Sequence, residues 1–156
     1  MRIVFWVGFW LFLADQASKY LVVHTLSLRE LGRIDVLPPY LNLRMAWNRG
    51  VNFGLFADDG DAMRWALVAL ALLVSGAVVW WVWHDRPGRV GLVGAGLLVG
   101  GALGNVVDRL LYGAVADFLN MSCCGIANPY AFNLADVGIF VGALGLVFFA
   151  GREKAP

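Results

Sequence analysis

Charge is scarce in this chain: only 15% of its 156 residues are Asp, Glu, Lys or Arg, where a soluble domain carries about 25%. Twelve basic and eleven acidic residues leave a formal charge of +1. There is thus no basic surplus to neutralise nucleic-acid phosphates, and no acidic excess of the kind that keeps a tail disordered. Cysteine is nearly missing as well. Cys123 and Cys124 are adjacent, so they cannot staple distant segments and fit no spaced zinc pattern; a vicinal disulfide and a pair of small apolar side chains both stay open. What abounds is apolar surface: 60% of the residues before the 19 glycines are counted, with a mean hydropathy of +0.71. A soluble domain reaches only about 45–50% with glycine included, so the composition points to a compact integral membrane protein.

Four stretches reach the roughly 20 mostly apolar residues that a hydrocarbon core requires, at about 3–23, 62–83, 90–111 and 131–150. The fold class expected is mainly α: a polytopic membrane protein of four transmembrane helices, with a small β-containing extracytoplasmic segment, 24–61, between the first two. No repeat or low-complexity tract divides it, so 1–156 reads as one membrane-embedded domain. The first stretch follows Arg2 and imitates a signal peptide, but Asp15 sits where a small-residue cleavage site would be needed. Arg2, Arg86, Arg89, Arg152 and Lys154 lie in the termini and the turn between helices two and three, whereas 114–130 has no Lys or Arg. The positive-inside rule then puts both termini in the cytoplasm, although Arg29, Arg33, Arg44 and Arg49 of the outer segment count against it. Within that segment Leu41, Leu43, Met45 and Trp47 alternate with Asn42, Arg44 and Ala46, as in a half-buried strand. Asn48-Arg49-Gly50 reads as a turn, and Phe53, Leu55 and Phe56 after it can dip into the interface.

Ionisable residues inside a bilayer are costly and mark candidate sites. Asp15 and Lys19 are spaced i, i+4 and can pair; a structural ion pair with Lys19 snorkelling to the surface and a direct role in binding are both open. Asn105, Asp108 and Arg109 fall within an arc of about 100° on the third helix. Asp108 and Arg109, being sequence neighbours, are each expected to bond a partner on another helix. Upstream, Gly91, Gly94, Gly96, Gly100, Gly101 and Gly104 permit close helix approach. The third group is Asp117 with Asn133 and Asp136. Asp136 is the sixth residue of a helix counted from Ala131, about 7–8 Å below its outer end, and the loop expected over 114–130 can bring carboxylates 117 and 136 together. Two carboxylates sharing one proton can act as acid and base on a water. The alternatives are that Asp117 caps or solvates the loop while Asp136 pairs with Arg109 or Lys19, or that Asp108 is a member of the pair.

These residues carry a resemblance. Asp15-Gln16-Ala17-Ser18-Lys19 is similar to a D-x-x-S/T-K box, and Asn48 to Gly54 to an N-x-G-x-x-F box. Gly100 to Arg109 matches G-x-x-x-G-N-x-x-D-R, followed by Val115-Ala116-Asp117-Phe118 and Phe132-Asn133-Leu134-Ala135-Asp136. In order, and from about Asp15 to Gly142, the set resembles the bacterial lipoprotein signal peptidases, the type II signal peptidases of the inner membrane. Asn52, Val137 and Ala131 depart from the pattern. The resemblance implies an aspartic endopeptidase with Asp117 and Asp136 catalytic. It implies that Asn105, Asp108, Arg109 and Asn133 shape the site, and that Asp15, Lys19, Asn48 and Gly50 support it or hold substrate. The implied reaction removes the signal peptide from a prolipoprotein just before a cysteine bearing a diacylglyceryl group.

The partners expected are diacylglyceryl-modified prolipoproteins and membrane lipid, with the chain itself a monomer and the active site toward the outer face. No cofactor and no metal are expected, since His24 and His84 fall on opposite sides by this topology. Two rivals remain: a small proton-coupled transporter using intramembrane carboxylates, and an assembly subunit whose ion pairs are only structural. The folded outer segment and the gathering of acids toward one face speak against the transporter.

Overall fold

The computed structural model describes residues 1–50, 60–123 and 128–149. Several residues singled out from the sequence lie outside them: Asn52, Phe53, Leu55 and Phe56 of the apolar stretch, Cys124, and the basic Arg152 and Lys154.

The chain runs α1 (Arg2–Tyr20), a single π-helical turn (Leu21–Thr25), a short α2 (Leu28–Leu31), β1 (Arg33–Leu37) and β2 (Leu41–Asn48). It continues through α3 (Gly60–Asp85), α4 (Arg89–Tyr112), β3 (Val115–Met121) and α5 (Leu134–Phe149). Helices α3 and α4 are long and apolar enough to cross a membrane by length and composition. The last helix differs from expectation. It starts at Leu134 rather than Ala131, because 131–133 is extended and Phe132 bridges to Leu119 of β3, exchanging backbone hydrogen bonds with it. Asp136 is therefore the third residue of α5, in its first turn, and not the sixth.

Helix α4 is the hub: it is mostly buried whereas α3 is mostly exposed, and α1, α3 and α5 all pack on it. Lipid tails are as apolar as leucine, so helices in a bilayer associate through close van der Waals contact, which the glycines supply. A Cβ on Gly100 would run into the backbone of Gly8 in α1, and one on Gly142 of α5 would lie 2.6 Å from the Gly94 carbonyl oxygen. The helix stops where Gly113 turns left-handed at φ 76° and its N–H donates to the Arg109 carbonyl, as glycine does after a helix end. Arg64 of α3 donates to the neighbouring Leu110 carbonyl at 3.1 Å.

Three antiparallel strands in the order β1-β2-β3 form a small sheet. The expected strand is β2, but its alternation is only partial, since Asn42 is buried beside Leu43. The segment 114–130, expected as a loop, contains β3. Its residues Val115 to Phe118 are all buried, and such a strand shows no period-two signal. Val22, Leu28, Leu43 and Phe118 make the sheet's own apolar core, with Ile34, Met45 and Leu119 against it. This core seats β3 beside the ends of α4 and α5.

Candidate active site

Asn133 and Asp136 meet at the start of α5 as a reciprocal cap. The Asn133 side-chain oxygen accepts from the Asp136 N–H at 2.9 Å, and Asp136 Oδ2 accepts from the Asn133 N–H at 3.1 Å. This satisfies two of the donors that a helix start leaves bare. The cap holds the Asp136 carboxylate in the first turn, where the helix dipole favours negative charge. The remaining end of Asn133, a fully buried residue, donates from Nδ2 to Asp117 Oδ1 at 2.6 Å. One asparagine thus bridges the strand carrying Asp117 and the helix carrying Asp136.

Every oxygen of the two carboxylates accepts one hydrogen bond from this inner ring. Asp136 Oδ1 accepts from Asn105 Nδ2 at 2.9 Å, and Asp117 Oδ2 from Asn48 Nδ2 at 3.0 Å. Asn48 is fixed in turn, since its Oδ1 accepts from the Gly50 N–H at 2.8 Å, which closes the turn expected there. Gly50 has φ 95°, and a Cβ on it would collide with Leu67. Asp117 is only 3% exposed. Burial, then the neighbouring charge of Asp136, pushes its carboxyl up from 3.8 to about 7, against the opposing pull of hydrogen bonds from Asn48 and Asn133. Asp136 is half-buried and Asn48 exposed, so the pair opens toward the surface on that side.

Below this ring lies a charged layer. Lys19 Nζ sits 2.7 Å from Asp15 Oδ2 and 2.9 Å from Asp108 Oδ2. The pairing of Asp15 with Lys19 is present, but Lys19 does not snorkel: it is 5% exposed, because two carboxylates hold it inside. Gln16 Nε2 donates to Asp15 Oδ2, to Asp108 Oδ1 and to the Gly104 carbonyl, while Ser18 donates to the Asp15 carbonyl of its own helix. Asp108 also accepts from the Ala116 N–H, so its oxygens are engaged by structural donors and it stands apart from the 117/136 pair. Arg109, expected to reach another helix, instead donates to the Asn105 carbonyl of its own helix at 3.3 Å. Its charge is within electrostatic reach of Asp136 most strongly, then of Asp108 and Asp117. Neither Arg109 nor Lys19 forms an ion pair with Asp136 among the described residues.

Gln16 and Ala116 are not among the site residues expected from the sequence. For Gln16 the signal was available, a second polar residue beside Asp15 in an apolar helix; for the backbone N–H of Ala116 there was none. His24 lies beside Tyr112 at one end of α4, and His84 stacks on Trp80 beyond its other end. Among the described residues no cluster of His, Cys, Asp or Glu is placed to hold a metal ion. The arrangement offers two neighbouring carboxylates, that of Asp117 raised to about 7, at a site that opens on one side.

The family described as signal peptidase (SPase) II matches residues 7–151. The lipoprotein signal peptidase of Methylorubrum extorquens (strain PA1) is 45% identical over 145 residues, covering 91% of this chain and 82% of its own length. That of Methylobacterium sp. (strain 4-46) is 45% identical over 136 residues, covering 85% and 79%. A bacterial membrane enzyme solved by the in meso method at 2.3 Å superposes with a TM-score of 0.78 at 26% identity, over 94% of this chain and 86% of that one. A second, solved at 1.9 Å, superposes with a TM-score of 0.82 at 24% identity, over 99% and 96%, and shows the shared fold.

Proposed function

This chain belongs to the signal peptidase II family, and from that premise we propose that Asp117 and Asp136 are the carboxylates that hydrolyse its substrate. The chain is a protease that removes signal peptides from prolipoproteins; the transporter alternative has no support. The observation that carries the assignment is the ring of amide donors, in which Asn133 touches Asp117 and caps Asp136 at once. With one proton shared between them, the ionised carboxylate takes a proton from a water as it attacks the scissile carbonyl. The protonated one donates to the carbonyl oxygen; the tetrahedral diol then collapses as the first carboxyl passes its new proton to the leaving amine and the second carboxylate takes one from a diol hydroxyl. Each step takes one proton from the reacting atoms and returns one to them, so the pair ends with the single shared proton it began with. Asn48, Asn105 and Asn133 orient the carboxylates; Asp15, Lys19, Asp108 and Gly50 support that ring, and Arg109 adds positive charge beside it.

The proposal extends to placement. The chain crosses the bacterial inner membrane four times, as one domain, with both termini cytoplasmic and the carboxylates toward the outer face. The dense basic residues of the termini and of the α3–α4 turn support this. The bond cleaved lies before a cysteine carrying a diacylglyceryl group, whose chains stay in lipid at about 0.8 kcal/mol per buried methylene and hold the scissile bond at the depth of the first turn of α5. The test is a side-by-side assay of a diacylglyceryl-modified precursor and its unmodified twin with purified protein in one detergent. A shortened product should form at least about tenfold faster from the modified precursor, a barrier difference of about 1.4 kcal/mol. Equal rates would mean that peptide sequence alone is read.

A further inference from the structure

Three acceptors converge on one nitrogen beneath the aspartate pair. Besides Asp15 Oδ2 at 2.7 Å and Asp108 Oδ2 at 2.9 Å, Lys19 Nζ donates to Asn105 Oδ1 at 3.2 Å. An ammonium has three N–H donors and no acceptor, so these contacts use its whole capacity. Each acceptor also has a bond that lands on the pair or beside it in the chain. Asp15 Oδ1 accepts from the N–H of Ala135, one residue before Asp136. Asp108 Oδ2 accepts from the N–H of Ala116, one residue before Asp117. Asn105 Nδ2 donates to Asp136 itself. Because only the oxygen of an amide can face an ammonium, Lys19 also decides which end of Asn105 is turned to Asp136.

We propose that Lys19 is a positioning residue for the hydrolysis, setting the spacing of Asp117 and Asp136 and the orientation of Asn105 through three separate links. At 5% exposure it is screened from the substrate, so it acts through the other residues alone. An ion pair serving stability needs only one carboxylate partner. Here one cation of α1 ties together α4, the strand carrying Asp117 and the helix carrying Asp136. The inference rests on the assignment of the aspartate pair.

The test separates position from stability. Lys19→Met leaves two buried carboxylates without a cation, so its Tm falls. The neutral variant K19M/D15N/D108N keeps amide oxygens able to accept from Ala135 and Ala116, and its Tm should recover most of that loss. Its kcat on modified precursor should remain at least about 30-fold below wild type with KM within about twofold, as expected for misplaced catalytic groups. Recovery of kcat together with Tm would overturn the proposal, as would a KM raised in proportion to the loss. Lys19→Arg decides the matter on its own if the triple variant does not fold. It keeps the charge but spreads its donors over a planar fork, so kcat should drop at least about tenfold while Tm stays near wild type; wild-type kcat in K19R overturns the proposal. Turnover by Asp117→Asn or Asp136→Asn would sink the aspartate assignment instead, whereas inactive aspartate variants beside a fully active triple variant would remove Lys19 alone.

Discussion

The two halves of α4 meet the same requirement, holding helices together where no hydrophobic effect operates, with opposite chemistry. From Arg89 to Gly101 the helix has no polar side chain after its first residue, and it meets α1 and α5 backbone to backbone across Gly8, Gly94, Gly100 and Gly142. From Gly104 to Arg109 it meets the same helices through Asn105 and Asp108, whose bonds to Lys19, Gln16, Ala116 and Asp136 satisfy buried charge. The first half tolerates no volume, and the second no unpaired polar atom. A helix that supports chemistry at one end can thus be anchored at the other by contacts that carry no chemistry.

The comparison breaks most readily in the glycine half. Gly100→Leu drives a side chain into the Gly8 backbone and should separate α1 from α4, costing about 3 kcal/mol or more. The expected outcome is a folded yield below about one-tenth of wild type, and a wild-type Tm in detergent would refute the close contact. In the polar half, Asn133→Ala removes the bridge between the two carboxylates. Losing those partners should cost about 1–3 kcal/mol of stability and lower kcat about 100-fold without loss of insertion. Unchanged turnover would mean that Asn133 is a cap and nothing more.

What could be read from the sequence divides along the same line. The helices and the glycine contacts follow from local composition, and Asp15 with Lys19 from i, i+4 spacing. The strand Leu41 to Trp47 and the Asn48–Gly50 turn are also local signals. Strand β3 escaped because burial on both faces erases the alternation that marks a strand. The apolar run alone starts the last helix three residues early, though Asn133 and Asp136 carry the spacing of a capping box that sets the start at Leu134. The second partner of Lys19, Asp108, lies 89 residues away, and no local pattern announces such a pairing.

A smaller effect concerns pH. Folding raises the Asp117 carboxyl from 3.8 to about 7, so the native state holds a proton that the unfolded chain releases. This group's contribution to stability is whole below about pH 4 and is lost as pH rises toward about 7. Asn at the position carries no such loss. The Tm of Asp117→Asn relative to wild type should therefore be higher at pH 8 than at pH 5, by about 3 °C or more. A difference independent of pH would place Asp117 in a wetter or less crowded site than its burial indicates.

The central claim, that two carboxylates held by a common asparagine do the hydrolysis, is tested most directly by turnover of lipidated precursor in purified Asp117→Asn and Asp136→Asn. Each substitution preserves shape and removes half of the proton-sharing pair, so both variants should insert and melt as folded proteins. Both should lose at least about four orders of magnitude in kcat, as expected when a member of an acid–base unit is deleted. A folded variant of either kind that retains a tenth of wild-type turnover would contradict the assignment.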